Sequence, residues 1–243
     1  IVPLYNTPLD YLQEMIDSVL NQSYSNIQLC LADGSSKEDV EIFVRQRYGK
    51  NRKVLYKRLK DNKGISENTN AAYQMATGDF IMLCDHDDIV MPNACYEMVK
   101  VINQEQDVDI VYTDEDKVAM DGIYYFGPHY KPDFNLAFLR DNNYICHIFL
   151  VRKSLADKLD GPELKEYDGA QDFDFILRCA EKAEKICHIP KVLYHWRCHP
   201  LSTAMNPQSK LYAYEAGKKA VIDSYRRNGI DADVEMTRYY GRY

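Results

Sequence analysis

Apolar residues near the start of the chain recur at helical spacing: Leu12, Met15, Ile16, Val19 and Leu20 share one face. Thr7-Pro8-Leu9-Asp10 predicts where that helix begins, with Thr7 as its cap, Pro8 in the first turn and Asp10 answering three residues on. Ahead of it, IVPLYN reads as the tail of a strand. A short apolar strand is expected over 27–32, stopping at Asp33-Gly34-Ser35-Ser36. A helix near 38–48, a strand around 54–56 and a helix over 66–76 follow, the last closed by Gly78. Residues 80–84 predict another strand, Pro92 opens a helix, and 109–112 returns to strand. Beyond Tyr112 the pattern loosens: a strand at 145–151, a helix at 172–183, a strand at 192–196, an amphipathic helix at 210–227 and a last strand at 232–236. The closing RYYGRY reads like an interrupted strand, so the chain is expected to be cut at both ends.

Strands alternating with helices imply an α/β fold, with a mostly parallel sheet covered on both faces. In such sheets ligands bind at the carboxyl ends of the strands. Asp33-Gly34-Ser35 and Asp85-His86-Asp87 both fall at strand ends, which makes them the first candidates for function. The 243 residues, 46% of them hydrophobic, suit one large domain or two small ones. No repeat, low-complexity segment or linker marks a boundary.

A net charge of −7 repels phosphate polymers, so nucleic acid is not an expected partner. The seven cysteines are odd in number and include no CxxC pair, which favours a reduced, cytoplasmic setting over a disulfide scaffold. No apolar run reaches the ~18 residues of a membrane span, and no signal peptide is present. No two glycines are separated by a single residue, so the GxGxxG fingerprint is absent. GxxxxGK, GxSxG and HExxH are absent too, which argues against the commonest nucleotide-binding and hydrolase readings.

Asp85 and Asp87 are two apart and point to one side of an extended chain. Converging carboxylates need a cation, and hard oxygen ligands suit Mg²⁺ or Mn²⁺ with a diphosphate as co-ligand. The plainer alternative is a solvated acidic loop in which Asp88 caps the next helix. A rival metal site is structural zinc on Cys187, His188, His195, Cys198 and His199, although no CxxC pair completes it.

Four stretches follow one another in order: V-P-x-Y-N at 2–6, A-D-G-S at 32–35, N-x-G-I-S at 62–66 and G-D-F-I-M-L-C-D-H-D-D-x-x-x-P at 78–92. This run resembles glycosyltransferase family 2, with the GT-A fold. Y-T-D-E-D-K at 112–117, Q-D-F-D-F-x-L-R at 171–178 and V-L-Y-H-W-R at 192–197 look like one bacterial branch of it. That branch builds capsules, surface polysaccharides and glycan chains on adhesins. The resemblance covers nearly the whole chain. It implies a mostly parallel central sheet flanked by helices, with a more irregular C-terminal acceptor half. Residues 1–112 would form the nucleotide-sugar half and 113–243 the acceptor-binding and catalytic-base half of the same domain.

The same resemblance suggests roles. Pro3, Tyr5 and Asp33 would hold the nucleotide base and ribose, although Tyr5 reads equally as a core aromatic. Lys63, Gly64 and His86 would lie near the nucleotide. The family often has Ala-Arg-Asn where this chain has Asn68-Thr69-Asn70. Asp85 would touch ribose, the metal or a metal-bound water, Asp87 would bind the metal, His195 would return to metal or pyrophosphate, and Arg197 would clamp a phosphate. Asp172 matches the catalytic base of an inverting displacement, against a plain role as N-cap, with Asp174 the neighbour it could be confused with. His147 would line the acceptor side or sit in the core. Asp114, Glu115 and Asp116 would face donor or acceptor. Trp196 would stack on sugar or fill core, and Tyr212, Tyr214 and Tyr225 would mark an interface or cover the sheet.

The implied activity is metal-dependent, inverting transfer from a nucleoside-diphosphate sugar to a hydroxyl of a glycan, whether free, lipid-linked or protein-linked. UDP is the expected nucleotide and dTDP-rhamnose the alternative donor. The expected location is cytoplasmic, with the inner membrane face as a variant, and the chain is expected to belong to a longer multidomain protein. Two other readings stay open: a sugar-nucleotide pyrophosphorylase, which would want a Gly- and Arg-rich first loop, and a non-catalytic carbohydrate-binding or scaffolding domain of a larger polysaccharide-synthesis protein.

Overall fold

A computed structural model describes residues 1–159, 161–198 and 211–243. β1 (Val2–Leu4), β2 (Leu29–Asp33) and β3 (Val54–Arg58) form a parallel sheet in the order β1-β2-β3. A second sheet has the order β4-β8-β6-β9-β5, from β4 (Phe80–Leu83), β8 (Phe149–Arg152), β6 (Ile110–Val118), β9 (Ile186–Arg197) and β5 (Ile89–Val90). β7 (Tyr125–His129) pairs antiparallel with β6. In this second sheet β6 and β9 run parallel, while β8 lies antiparallel to both β4 and β6.

Two hydrogen bonds fuse the sheets. Ile1 N donates to the Met82 carbonyl at 2.8 Å, and Cys84 N to the Ile1 carbonyl at 3.3 Å. β1 therefore lies beside β4. The chain winds outward from β1 through β2 to β3, then crosses back to place β4 on β1's other side. This reversal of strand order opens a crevice at the carboxyl ends of β1 and β4, where such sheets bind ligands.

Helices cover both faces because the strands are apolar on both. α1 (Leu9–Leu20), α2 (Asp39–Tyr48) and α4 (Ala94–Gln104) pack on one face through Leu12, Met15, Ile16, Val40, Val44 and Met98. α3 (Ile65–Tyr73), α7 (Gln171–Ala180) and α8 (Leu211–Arg227) pack on the other through Ala72, Tyr73, Phe173, Ile176, Leu177, Ala220 and Val221. α5 (Leu136–Asp141) and α6 (Lys153–Ala156) are short connectors.

Several boundaries differ from expectation. α1 takes Pro8, not Thr7, as its N-cap, and the buried Thr7 hydroxyl makes no hydrogen bond among the described residues. α3 stops at Tyr73 with Gln74 as C-cap, four residues before Gly78. Residues 232–236 form no strand. The closing 238–243 make a turn in place of an interrupted strand. β9 begins six residues before the expected 192, because the pairing with β6 shifts between Ile189 and Val192 and so accommodates Pro190. Lys210, the expected first residue of α8, and His199 lie outside the described residues.

Candidate active site

One cavity of about 770 Å³ sits over the β1–β4 crevice. Pro3 lines it from β1, Asp85 from the end of β4, Gly64 and Thr69 from α3, Glu115 from β6, and Asp172 from α7. Gly64 has φ +105, and a Cβ there would come within 2.9 Å of Asp168 Oδ2, so this α3 cap needs glycine.

The turn after β4 is held from behind by β9. Tyr194 donates its hydroxyl to Asp88 Oδ2 at 2.6 Å and accepts from Asp85 N at 3.1 Å. Asp88 Oδ1 accepts from Arg197 N at 2.7 Å. Arg197 is fully buried; its guanidinium donates to the carbonyls of Asp87 and Met120, pairs with Glu14 and lies over the Tyr11 ring. Arg197 thus braces the acidic turn and stands outside the cavity lining. Burial pushes Asp88 well above the usual carboxylate range, and Asp87 and Asp85 push the same way.

His147 meets this turn from the start of β8. Its Nε2 lies 3.5 Å from Asp85 Oδ2, and its ring stacks on Tyr194. Burial opposes protonation of His147, but the neighbouring Cys146 and Asp85 hold its pKa well above that of free imidazole. Asp85, Asp88 and His147 each bring a ligand atom within 4.8 Å of the others, the only such metal-capable trio among the described residues. Two carboxylates and an imidazole suit a divalent ion such as Mn²⁺ or Mg²⁺, so the residues present fit the expected cation. The trio includes Asp85 as expected but has Asp88 and His147 in place of Asp87 and His195. Asp87 stands beside His86, 3.9 Å from its Nδ1. His195 is buried against Asp116 and the Tyr125 ring. His188 pairs with Asp114 at 2.8 Å and stacks on Tyr112, so the nominal zinc ligands do not converge among the described residues.

Lys131 organises the wall between them. It is 5% exposed, and its ammonium donates to Glu115 at 3.1 Å and to the carbonyls of Ile145 and His147 at 2.6 and 2.5 Å. Glu115 also accepts from His147 N at 3.3 Å and faces His129 at 3.4 Å. Of the acidic trio in Y-T-D-E-D-K, only Glu115 lines the cavity; Asp114 receives Lys131 N and His188, and Asp116 receives His195. Trp196 lines the cavity, edge-on to His147.

Asp172 reaches the cavity from the first turn of α7. The N-cap position is Ala170, and the Asp172 carboxylate accepts from Asn143 Nδ2 at 3.2 Å with Cys146 Sγ at 4.0 Å. Burial raises its pKa, while His147 and the Phe173 amide oppose the rise. Asp174 turns the other way and is tied to Arg178 at 2.7 Å and Arg227 at 3.6 Å. Gln171 folds back to accept from Gly169 N at 2.8 Å.

On the β2 side, Asp33 is closed in. It accepts from Ser35 N at 2.8 Å, from Tyr56 Oη at 2.5 Å and from Arg58 Nη1 at 2.9 Å. Tyr5 is half-exposed and Lys63 exposed, and neither lines the cavity. Among the sequence candidates, the cavity therefore brings together Pro3, Gly64, Asp85, Glu115, His147, Asp172, Trp196, Tyr212 and Tyr214, and leaves Tyr5, Asp33, Lys63, His86, Asp87, His195 and Arg197 outside its lining.

Comparison with known proteins places this geometry. The family description "Glycosyl transferase family 2" matches residues 1–160. The chain belongs to glycosyl transferase family 2. Among relatives of this family 2 chain, an uncharacterized protein, y4gI, of Sinorhizobium fredii is 39% identical over 230 residues, covering 93% of this chain and 25% of that protein. The O-antigen biosynthesis protein RfbC of Myxococcus xanthus is 27% identical, with 96% and 18% covered. The hyaluronan synthase of Pasteurella multocida is 29% identical, with 94% and 23% covered. The chain thus spans a quarter or less of the length of these relatives. In fold it matches S. aureus TarS 1–349 in complex with UDP, at TM-score 0.71 and 19% identity over 97% of this chain and 66% of that one. The mannosyltransferase PcManGT of Pyrobaculum calidifontis, in complex with GDP-Man and Mn²⁺, matches at TM-score 0.64 and 15% identity over 96% and 64%. The fold is therefore the GT-A type that the motifs implied.

The family motifs do not point to Lys131, Asn143, Glu163 or Asp168. Lys131 lies in H-Y-K-P-D, which reads as surface loop, and Glu163 in a polar run with no period.

Proposed function

We propose that this chain is the catalytic domain of an inverting glycosyltransferase that takes a sugar from a nucleoside diphosphate and transfers it to a glycan hydroxyl. The observation that carries this reading is one cavity whose lining brings a half-buried, pKa-raised Asp172 together with Asp85 and His147, with the buried Asp88 completing their trio from behind the lining. At about 770 Å³ the cavity is in the size range of small-molecule sites.

Asp172 accepts the proton of the acceptor hydroxyl as that oxygen attacks the anomeric carbon. The bond from that carbon to the diphosphate oxygen breaks, and the configuration inverts in one displacement. A raised pKa makes Asp172 a better proton acceptor, and Asn143 aims its carboxylate. Asp85, Asp88 and His147 would hold a divalent cation, which would supply charge to offset the departing diphosphate. Lys131 and Glu115 keep the His147 backbone in place. Residues 1–112 supply the nucleotide side and 113–243 the acceptor side. The UDP complex of TarS and the GDP-Man and Mn²⁺ complex of PcManGT support a nucleotide-sugar donor and a metal, with UDP as first choice. The hyaluronan synthase and RfbC among the relatives support a polysaccharide acceptor. No helix among the described residues is long and apolar enough to cross a membrane. A cytoplasmic site of action, within a longer protein, is part of this proposal.

Thermal shifts with UDP, dTDP, GDP and CMP, each with and without Mn²⁺, test it. A nucleotide at ~100 times its Kd adds ~2.7 kcal/mol, or ~5–10 °C for a chain of this size. One nucleotide should give a metal-dependent shift that Asp85→Ala removes. A flat response to all four would overturn the donor site and leave a non-catalytic domain.

A further inference from the structure

Glu163 is a buried carboxyl for which the reaction above has no use. It is 4% exposed and lines the cavity. Its backbone is fixed by Asn70, whose side-chain oxygen accepts Glu163 N–H at 3.0 Å and whose amide donates to the Glu163 carbonyl at 2.7 Å. Arg178 secures the two residues before it, through the carbonyls of Gly161 at 2.7 Å and Pro162 at 2.8 Å. The loop is thus tied to both α3 and α7. Despite this anchoring, Glu163 Oε2 has no hydrogen-bond partner among the described residues. A buried oxygen held in place and left unsatisfied is costly, and native proteins retain few of them.

The position of Glu163 selects the ligand. Glu163 shares the cavity lining with Asp172, on the attacking side, with Asp85, on the diphosphate side, and with Thr69, which bonds to it. The group that must lie between the base and the diphosphate is the donor sugar. We infer that Glu163 binds a hydroxyl of the donor sugar and so selects which sugar is transferred, a reading that rests on the function proposed above. Burial pushes the Glu163 carboxyl well above its usual range, and Asp172, Asp85 and Asp168 add to this. A protonated carboxyl both donates and accepts, as a sugar hydroxyl does.

The test uses the purified protein with Glu163→Ala and Glu163→Gln. UDP-sugars and dTDP-rhamnose are screened first, and then analogues of the best donor that lack one hydroxyl at a time. Glu163→Ala should lower kcat/KM for the best donor by about 10- to 100-fold and leave the thermal shift with the free nucleotide unchanged. One deoxy analogue should cost the wild type the same factor and cost Glu163→Ala nothing further. Glu163→Gln, which still donates and accepts, should retain most of the activity. Equal losses on every analogue, or loss of the nucleotide shift, would reduce Glu163 to a structural part of the loop. Unchanged kcat/KM in Glu163→Ala would also overturn the inference. A wild type without nucleotide shift or turnover sinks the proposed function and this inference with it, whereas turnover without coupling sinks this inference alone.

Discussion

The ends of β2 and β4 carry similar acidic turns in opposite states. At β2, Asp33 is satisfied from within, by Arg58, Tyr56 and the Ser35 amide. At β4, Asp88 accepts from the Tyr194 hydroxyl and the Arg197 amide, and its charged neighbours are the Asp85 and Asp87 carboxylates and the His147 imidazole. Arg197, the cation nearest in sequence logic, spends its guanidinium on carbonyls and Glu14 behind the turn. The Asp33 charge is balanced inside the chain. The turn after β4 is buried at Asp88, bordered by the His147 imidazole and open to the cavity at Asp85, an arrangement suited to a ligand site.

The largest test of that contrast is catalytic. Asp172→Asn should lower kcat by roughly 10²–10⁴-fold, with the metal-dependent nucleotide shift intact. Asp33→Asn should do the reverse and lower the melting temperature while the protein that remains folded keeps its kcat. Turnover measured beside melting curves decides this, and full turnover in Asp172→Asn would remove the base from the mechanism.

Next in size is Lys131→Met. It leaves Glu115 buried without its ammonium partner, which typically costs about 3–5 kcal/mol. At ~2–4 °C per kcal/mol the midpoint should drop by about 6–20 °C. The double variant Lys131→Met/Glu115→Gln should recover much of the loss, and absence of recovery would show that Lys131 works through the carbonyls of Ile145 and His147 alone.

These residues also show what could be read in advance. α1 and the apolar run of β4 were legible because periodicity and burial agree there. The order of strand-end motifs was enough to anticipate the fold and to bring Pro3, Gly64, Asp85 and Asp172 to one cavity. Periodicity does not separate Asp172 from Asp174, since both lie in one helical turn; the resemblance points to Asp172, and packing sends Asp172 to the cavity and Asp174 to Arg178 and Arg227. The start of β6 is legible at 109–112, but its polar second half, Thr113 to Val118, does not resemble a strand; Asp114, Glu115 and Asp116 there are taken up by Lys131, His188 and His195. Residues 232–236 have strand-like composition but no partner, and pairing, not propensity, makes a strand.

A smaller effect is the pH dependence of stability in the absence of metal. Burial raises Asp88, Glu163 and Asp172 in the folded state. Between the ordinary carboxylate range of about 4 and those raised values, the folded chain holds protons that the unfolded chain releases, so stability falls as pH rises through that window. His147, raised by Cys146 and Asp85 against its burial, acts with the same sign, its contribution being complete below about 6.5 and lost as pH rises through its folded value. The metal-free melting temperature should therefore rise as pH is lowered from 8 toward 5. Saturating Mn²⁺ should flatten that slope, because the cation replaces protons at the trio. A metal-free midpoint that falls over the same range would show that the trio is balanced internally, as Asp33 is.

The finest test removes one tyrosine hydroxyl from each turn. Tyr56 donates to Asp33 at 2.5 Å and Tyr194 to Asp88 at 2.6 Å, so Tyr56→Phe and Tyr194→Phe delete nearly the same bond. Each should cost about 1–2 kcal/mol of stability. Asp33 keeps Arg58 and the Ser35 amide, so Tyr56→Phe should leave the Mn²⁺ dependence of nucleotide binding unchanged. Asp88 keeps only Arg197 N, and Tyr194 also carries Asp85 N and the stacked His147 ring, so Tyr194→Phe disturbs all three candidate ligands at once. Its Mn²⁺ titration should move to higher concentration, by about tenfold if the displaced ligands lose as much as ligands stripped of an outer hydrogen-bond partner. Equal Mn²⁺ titrations for the two variants would mean that the turn after β4 is no more a metal site than the turn after β2.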